Sequence, residues 1–574
     1  MTTARVTPLL LFGPALLLLG LFFVAPLVGF LAQGVLSRDG ALTGEHIARV
    51  AAAGTYANVM WTSVKIAFWV TLASILVGYP AAYVLATADK RAKGYWALFI
   101  LLPFWSSFLV RTFAWIVILG RQGPVNATLW DAGFERLEML YSWGAVVMGM
   151  TNVLVPFAIL TMVGVMEKID RGLMAAAGTL GARPVQAFFR IYLPLSMPGV
   201  TAATLLVFIT ALGFFIAPAL LGSARETMIT QLIIQQVIEL TNWPVAAILC
   251  LMLLVSALII FAVFDKAVGL STLAGERSER TGGHLASAVA MAFSRLSGRI
   301  GDGLAALADM LHFPQARAAG DTSRPVRMAA ALVVLFLVAP LILLIPVSFS
   351  GRPFLSWPPV DPGLGWYREA LSSPVWMGAA LRSLVVAFLT ALACFVVVVP
   401  AAFAFLRLSG RSASLAFALM ISPLLMPRLV IAVALFWVYA KLGLVGTVAG
   451  LVIGHAVIAL PFFFIAVIAV LKTYDQRLDA AAASLGATPW QTARRVTLPL
   501  IAGGLVSAWL FAFVVSLDEL NVALFASGGL QSTLPKLMWD EATLRFSPIL
   551  AAVSTLVLLL MSAVVLIAAR LRPN

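Results

Sequence analysis

Four charged residues sit in stretches otherwise too apolar to hold them: Asp518 and Glu519 in the run Gly503–Phe525, Arg111 in Tyr95–Leu119 and Arg428 in Leu415–Tyr439. A charge at mid-bilayer costs roughly 2.5–3.5 kcal/mol on insertion scales, so such groups mark an ion pair or a route for a charged solute. Both readings stand at this stage: Asp518 or Glu519 can pair with Arg111 or Arg428, or contact the solute, or do both. The position matching Asp518 in the first half is Gly213, so a route here carries negative charge on one side only, which suits a cationic solute. No grouping of nucleophile, base and metal ligands accompanies these residues, and neither catalytic residues nor a metal site is expected. His455 stands alone among apolar neighbours and reads as a hydrogen-bonded core residue. Cys250 and Cys394, the only cysteines, lie inside apolar runs and read as small buried residues. Lys65 and Arg382, near the outer ends of their runs, can snorkel.

The elements that position these groups follow from composition. The chain has 574 residues, 62% of them hydrophobic and 11% charged, with mean hydropathy +1.02, far more apolar than a soluble domain. Spanning helices need roughly 20 mostly apolar residues, and twelve such runs occur, six in each half, ending with Ile549–Ala569. The expected fold is all-α: a polytopic membrane protein of about twelve transmembrane helices in two parallel six-helix repeats. An even number of spans returns each repeat to the side it started from, so the repeats are parallel. The net charge of +14 reflects basic inner turns such as Asp89–Lys93 and not nucleic-acid binding. Both termini are then expected in the cytoplasm. The N-terminal apolar run, preceded by Arg5 alone, reads as a retained first helix and not a cleaved signal.

A repeated signature breaks the apolar pattern. Gly181, nine residues, then Ile191-Tyr192-Leu193-Pro194 recurs 305 residues later as Gly486, nine residues, then Val496-Thr497-Leu498-Pro499. Helix formers precede each Gly, which supplies a left-handed C-cap; Pro184 and Pro489 suit the first turn of a new helix, and Thr488 is a good N-cap. Each loop is thus two short helices at an angle, with Pro194 or Pro499 marking a bend back into the next span. Other matches extend the repeat: Pro80-Ala81-Ala82-Tyr83 with Pro400-Ala401-Ala402-Phe403, Trp115 with Trp437, Pro156-Phe157 with Pro461-Phe462. The change of offset from 322 to 305 places a net insertion of 17 residues in an outer loop of the first half, between Trp115 and Pro156. Such a loop suits docking of an asymmetric extracytoplasmic partner, although loop length also drifts without function.

The loop pair resembles the EAA loop of permease subunits of binding-protein-dependent ABC importers, over nearly the whole of both halves. The resemblance implies the type I importer permease fold: a first repeat at 1–270 with its coupling loop at 170–198, a cytoplasmic linker at 271–327, and a second repeat at 328–574 with its loop at 475–502. It implies that Ala175, Ala176, Gly181, Leu193 and Pro194, and Asp479, Ala480, Ala481, Gly486, Leu498 and Pro499, meet the groove of a cytoplasmic ATPase. The family's Glu six residues before the Gly is Ala175 here in one copy and Ala480 in the other, so an expected ionic contact is missing or displaced. None of the eight lysines follows a Gly, as a P-loop requires, so no cofactor is expected in this chain, and ATP and Mg²⁺ belong to the partner, an ATPase expected as a homodimer.

Ser107–Trp115, Pro218–Gly222 and Asn242-Trp243-Pro244 resemble the B-type subunit of spermidine/putrescine importers; Ser516-Leu517-Asp518-Glu519 and Ser532–Pro535 resemble the C-type. The resemblance implies a multi-pass protein of the bacterial inner membrane. It carries polyamines, or else ferric iron, thiamine or another small cationic or polar solute, delivered by an extracytoplasmic binding protein. An ion-coupled secondary transporter is the rival, and it should carry buried ionisable groups in both halves. Between the halves, His284 to His312 can form an amphipathic helix on the membrane surface.

Overall fold

The computed structural model describes residues 8–37, 39–268, 296, 298–300, 302–303, 324–475, 477–528, 531–545 and 547–570. Among them all regular structure is helical apart from one isolated bridge between Leu36 and Leu42. Among the described residues nine helices are long and apolar enough to cross a bilayer, and counting each of two sharply bent pairs as one span brings the number to eleven. The twelfth apolar run falls in Pro548–Arg570.

The third and ninth runs do not span as straight helices. Lys90–Trp105 meets the helix beginning at Phe108 at 93°, and Gly410–Leu425 meets Arg428–Leu442 at 95°. Both corners have a local cause. Ser106 and Ser107 are extended at the first; at the second, Pro427 forces Met426 out of helical geometry, to φ −102° and ψ 144°. The fifth and eleventh runs are also interrupted. Pro184–Leu212 ends at Gly213 before Ile216–Leu221, and Pro489–Leu517 ends at Asp518 before Asn521–Ala526.

Each half is organised round one helix, Trp143–Met166 or Val448–Thr473, each with 72% of its apolar window buried, against 33–44% for the other spans. The halves exchange their first helices. The N-terminal helix packs on Pro374–Phe405 of the second half, and Arg324–Val347 packs on Gly54–Thr87 of the first. Asn152 fixes the second exchange by donating from Nδ2 to the Phe336 carbonyl at 2.8 Å. Apolar side chains on the outside of these helices, such as Leu17, Leu335 and Leu392, are exposed as a lipid-facing surface requires.

Most of the expected surface helix at His284–His312, and of the linker, lies outside the described residues. Of those described there, Asp302 receives Gln186 Nε2 at 3.2 Å and Arg190 Nη2 at 2.6 Å, so this part of the linker touches the first loop.

Candidate functional site: the intramembrane charge cluster and the repeated loops

The four intramembrane charges converge where the halves meet. Asp518 does not lie in mid-helix, as the apolar run suggests, but at the C-terminus of Pro489–Leu517, with φ −94° and ψ 3°. The chain breaks there, so the charge sits beside open backbone polar groups and not against a continuous apolar helix. Ser107, at the corner of the first half, lines the same small cavity as the half-buried Asp518 carboxylate. That cavity, also lined by Leu517, Pro535 and Met538, is about 50 Å³, room for little more than water.

Glu519 has a different task. It is 1% exposed, and its Oε1 accepts the Val522 amide at 2.9 Å, satisfying a donor at the start of the helix Asn521–Ala526. Its Oε2 stands 3.9 Å from Arg428 Nη1. The expected ion pair therefore forms between Glu519 and Arg428. Arg428 is not fully buried; its side chain is 30% exposed and its guanidinium lies over the Phe462 ring.

Arg111 is fully buried and, contrary to the ion-pair expectation, makes no salt bridge among the described residues. It donates to the carbonyls of Asn152 at 3.3 Å, Val153 at 3.1 Å and Ser106 at 3.4 Å, and lies over Phe108. The reason is Pro156. A proline has no N–H, so the carbonyl four residues earlier, that of Asn152, loses its helical partner. Within a membrane that orphan needs a donor. The four-residue spacing of Asn152 and Pro156 carries this signal in the sequence.

Gly213 ends its helix with φ −88° and ψ 4°, nearly the conformation of Asp518. A Cβ there would lie 2.8 Å from Pro427 Cβ of the other half, so no side chain fits. Ser107 and Pro427 are themselves matching positions. The two pairs, Ser107 with Asp518 and Pro427 with Gly213, are thus related by the internal repeat, and only one carries a charge. Aromatic rings close the seam, with Trp105 against Phe511 at 5.0 Å and Phe215 against Trp539 at 5.2 Å between centroids.

His455 is buried and hydrogen-bonded, Nδ1 to Ser516 Oγ at 2.8 Å, as the sequence implies. Arg382 does more than snorkel: its Nη1 donates to the Ser532 carbonyl at 2.8 Å.

The repeated loops form as expected at their first helices. Gly172–Thr179 and Arg477–Ser484 each end in a Schellman turn, with Ala182 N on Ala177 O at 3.0 Å and Ala487 N on Ala482 O at 3.1 Å. Gly181 and Gly486 both stand at φ +83°, where a Cβ is strained. Thr488 caps the second short helix, accepting Gln491 N at 3.3 Å while Gln491 Oε1 accepts Thr488 N at 2.8 Å.

The second helices depart from expectation. Neither Pro194 nor Pro499 marks a bend: Pro184–Leu212 and Pro489–Leu517 are each one continuous helix of 29 residues. A single π-turn, Phe188–Tyr192 or Ala493–Thr497, precedes each proline. The slip to i→i+5 bonding takes up the register change that the missing N–H would otherwise force into a kink.

Ala175, Ala176, Gly181, Ala480, Ala481 and Gly486 are exposed, and Leu180 and Leu485 are both 88% exposed at the loop tips. Leu193, Pro194 and Leu498 are half-buried as the next spans begin, while Pro499 is exposed. Asp479 does not replace the missing glutamate as a free acid, since its Oδ1 accepts Tyr474 Oη at 2.6 Å and Thr497 Oγ1 at 2.8 Å. Burial and then that bond raise the Tyr474 phenol above its ordinary range. The first loop has Met174 at the equivalent place and is held by Arg171, which donates to the Ala86 carbonyl at 2.9 Å.

A family model described as "Binding-protein-dependent transport system inner membrane component" matches residues 1–268 and 397–573. The spermidine/putrescine transport system permease protein PotB of Haemophilus influenzae is 34% identical over 254 residues, 43% of this chain and 88% of that protein. PotB of Escherichia coli K12 is 32% identical over 194 residues, 33% of this chain and 70% of that protein. The putrescine transport system permease protein PotI of the same organism is 31% identical over 231 residues, 39% and 82% respectively. A crystal structure of a bacterial alginate ABC transporter in complex with an alginate pentasaccharide-bound periplasmic protein is similar at TM-score 0.39 and 18% identity, covering 44% of this chain and 90% of that one.

Proposed function

Since this chain belongs to the family of binding-protein-dependent inner membrane transport components, we propose that it forms, by itself, both bundles of an ATP-driven importer whose solute is a polyamine. Relatives named for spermidine and putrescine transport support the solute class. The observation that carries it is Asp518, an acid on one side only of the seam between the halves. A flexible polycation exchanging water for one carboxylate at a time suits such a site, and Glu519, Arg428 and Arg111, being engaged with other partners, leave Asp518 as its acid.

The chain does no covalent chemistry in this reading. A homodimeric ATPase, which binds ATP and Mg²⁺, docks on the exposed faces around Leu180 and Leu485, with both termini of this chain on the same cytoplasmic side. Each coupling helix is continuous with the span that ends at the seam, at Gly213 or Asp518. At 1.5 Å per residue such a helix reaches roughly 40 Å, so ATPase closure is delivered to the seam through one rod on each side. The partners bias the stability of inward- and outward-open states.

Uptake of labelled spermidine and putrescine by a transport-deficient bacterial strain tests this, with the chain expressed beside its ATPase and binding protein and an ATPase-dead control. ATP-dependent uptake lost in D518N supports it. A co-purifying complex that takes up neither polyamine overturns the solute assignment, with ferric iron and thiamine tried next; failure to bind any ATPase overturns the importer reading.

A further inference from the structure

The internal repeat is obeyed on one face of the protein and broken on the other. On the loop side the two copies share glycine conformation, Schellman C-caps and exposed leucines, as a two-fold symmetric partner requires. On the opposite side the second half joins Arg428–Leu442 to Val448–Thr473 by a five-residue turn, whereas the first half inserts the segment from Gly120 to Ser142.

That insertion is built and not slack. It contains the helix Pro124–Asp131, and the fully buried Asn126 staples it: Nδ2 donates to Gly120 O at 3.1 Å and Leu137 O at 3.0 Å, while Oδ1 accepts Leu137 N at 2.8 Å. A second tie comes from the other half, where Trp357 N donates to Gln122 O at 2.8 Å. Between them lies a cavity of about 530 Å³, lined by Arg121, Arg136, Gln122, Tyr141 and Ile116 of the first half and Leu355 of the second.

No acidic side chain lines this cavity; Asp131, Glu135 and Glu138 of the same loop stand outside its lining. Among the described residues neither arginine is ion-paired, and Arg136 lies over the Trp130 ring at 5.2 Å. Trp130, Phe134 and Tyr141 are exposed around it. Exposed aromatics are ordinary at a bilayer interface, but arginine, tryptophan and tyrosine round a preformed concavity are also the composition of an interface hot spot. A recess with unpaired positive charge focuses its field on an incoming anion.

We propose that this cavity receives a carboxylate-bearing loop of the extracytoplasmic binding protein, and does so once per transporter because only the first half builds it. The contact fixes which lobe of that protein stands over which half. The inference rests on the importer reading and adds the face, the residues and the chemistry of docking.

The test is capture of the binding protein that supports uptake by the full chain with its ATPase in nanodiscs, comparing the wild type with R121E/R136E. Basal ATPase rate and complex yield should be unchanged, because both residues lie far from the loops. Affinity should fall at least about tenfold in the variant, and raising salt from about 50 to about 500 mM should weaken the wild type more than the variant. If R121E/R136E fails to assemble, R121Q/R136Q, which removes charge at similar length, carries the same comparison. Capture within about twofold of wild type, with the same salt dependence, overturns the inference and leaves the importer reading intact. No capture by the wild type overturns the inference alone, because the importer reading stands or falls with uptake.

Discussion

Ser107 of the first half faces Asp518 of the second across a small cavity that both line, and the matching pair, Pro427 and Gly213, makes an uncharged contact across the same seam. One repeat has kept a polar junction where the other has closed against proline. If Asp518 is the solute's contact, D518N should lower spermidine uptake at least about tenfold while complex yield holds. S107A, which removes only the polar neighbour that shares the cavity with Asp518, should lower uptake less. Labelled uptake alongside quantified complex checks both, and unaltered uptake by D518N refutes the role.

Arg111 and Pro156 should be energetically coupled. R111M leaves the Asn152 carbonyl orphaned in a membrane-buried helix and should lower stability by about 1–3 kcal/mol. In P156A the restored N–H at position 156 can take that carbonyl, so the same substitution should cost less. Thermal unfolding of the four members of the cycle in detergent reads the coupling; additivity would separate the two residues.

Gly213 tolerates no side chain while Pro427 stands opposite. G213A should destabilise the joined halves by about 1–3 kcal/mol through overpacking, and P427A should recover part of that loss. The check is the melting temperature of G213A with and without P427A.

The loop tips are apolar and near-equivalent, so L180D and L485D should each reduce ATPase co-purification sharply. D479A should instead leave binding largely in place while loosening the second loop, because Asp479 is spent on Tyr474 and Thr497. Pull-down yield and substrate-stimulated ATPase rate distinguish the cases; an equal loss of binding in D479A would show that the acid reaches the partner.

The sequence by itself determined what depends on local order. Long apolar runs must be helices in a bilayer because backbone groups have no other partner there. Gly181 and Gly486 must end helices because the left-handed region favours a residue without Cβ. The duplication was legible because its markers keep register along the chain. Tertiary structure alone decided which groups meet. The exchange of first helices brought the Phe336 carbonyl to Asn152, and a proline 45 residues beyond Arg111 created that arginine's partner. The continuity of Pro184–Leu212 through Pro194 was likewise unreadable, since proline permits either a kink or a π-turn and packing against neighbouring helices selects between them. Charge pairing within a membrane is a contest among all nearby donors and acceptors, including backbone groups that a sequence does not display, so only the folded seam assigns Arg111 to carbonyls and Arg428 to Glu519 and places Ser107 beside the cavity that Asp518 lines.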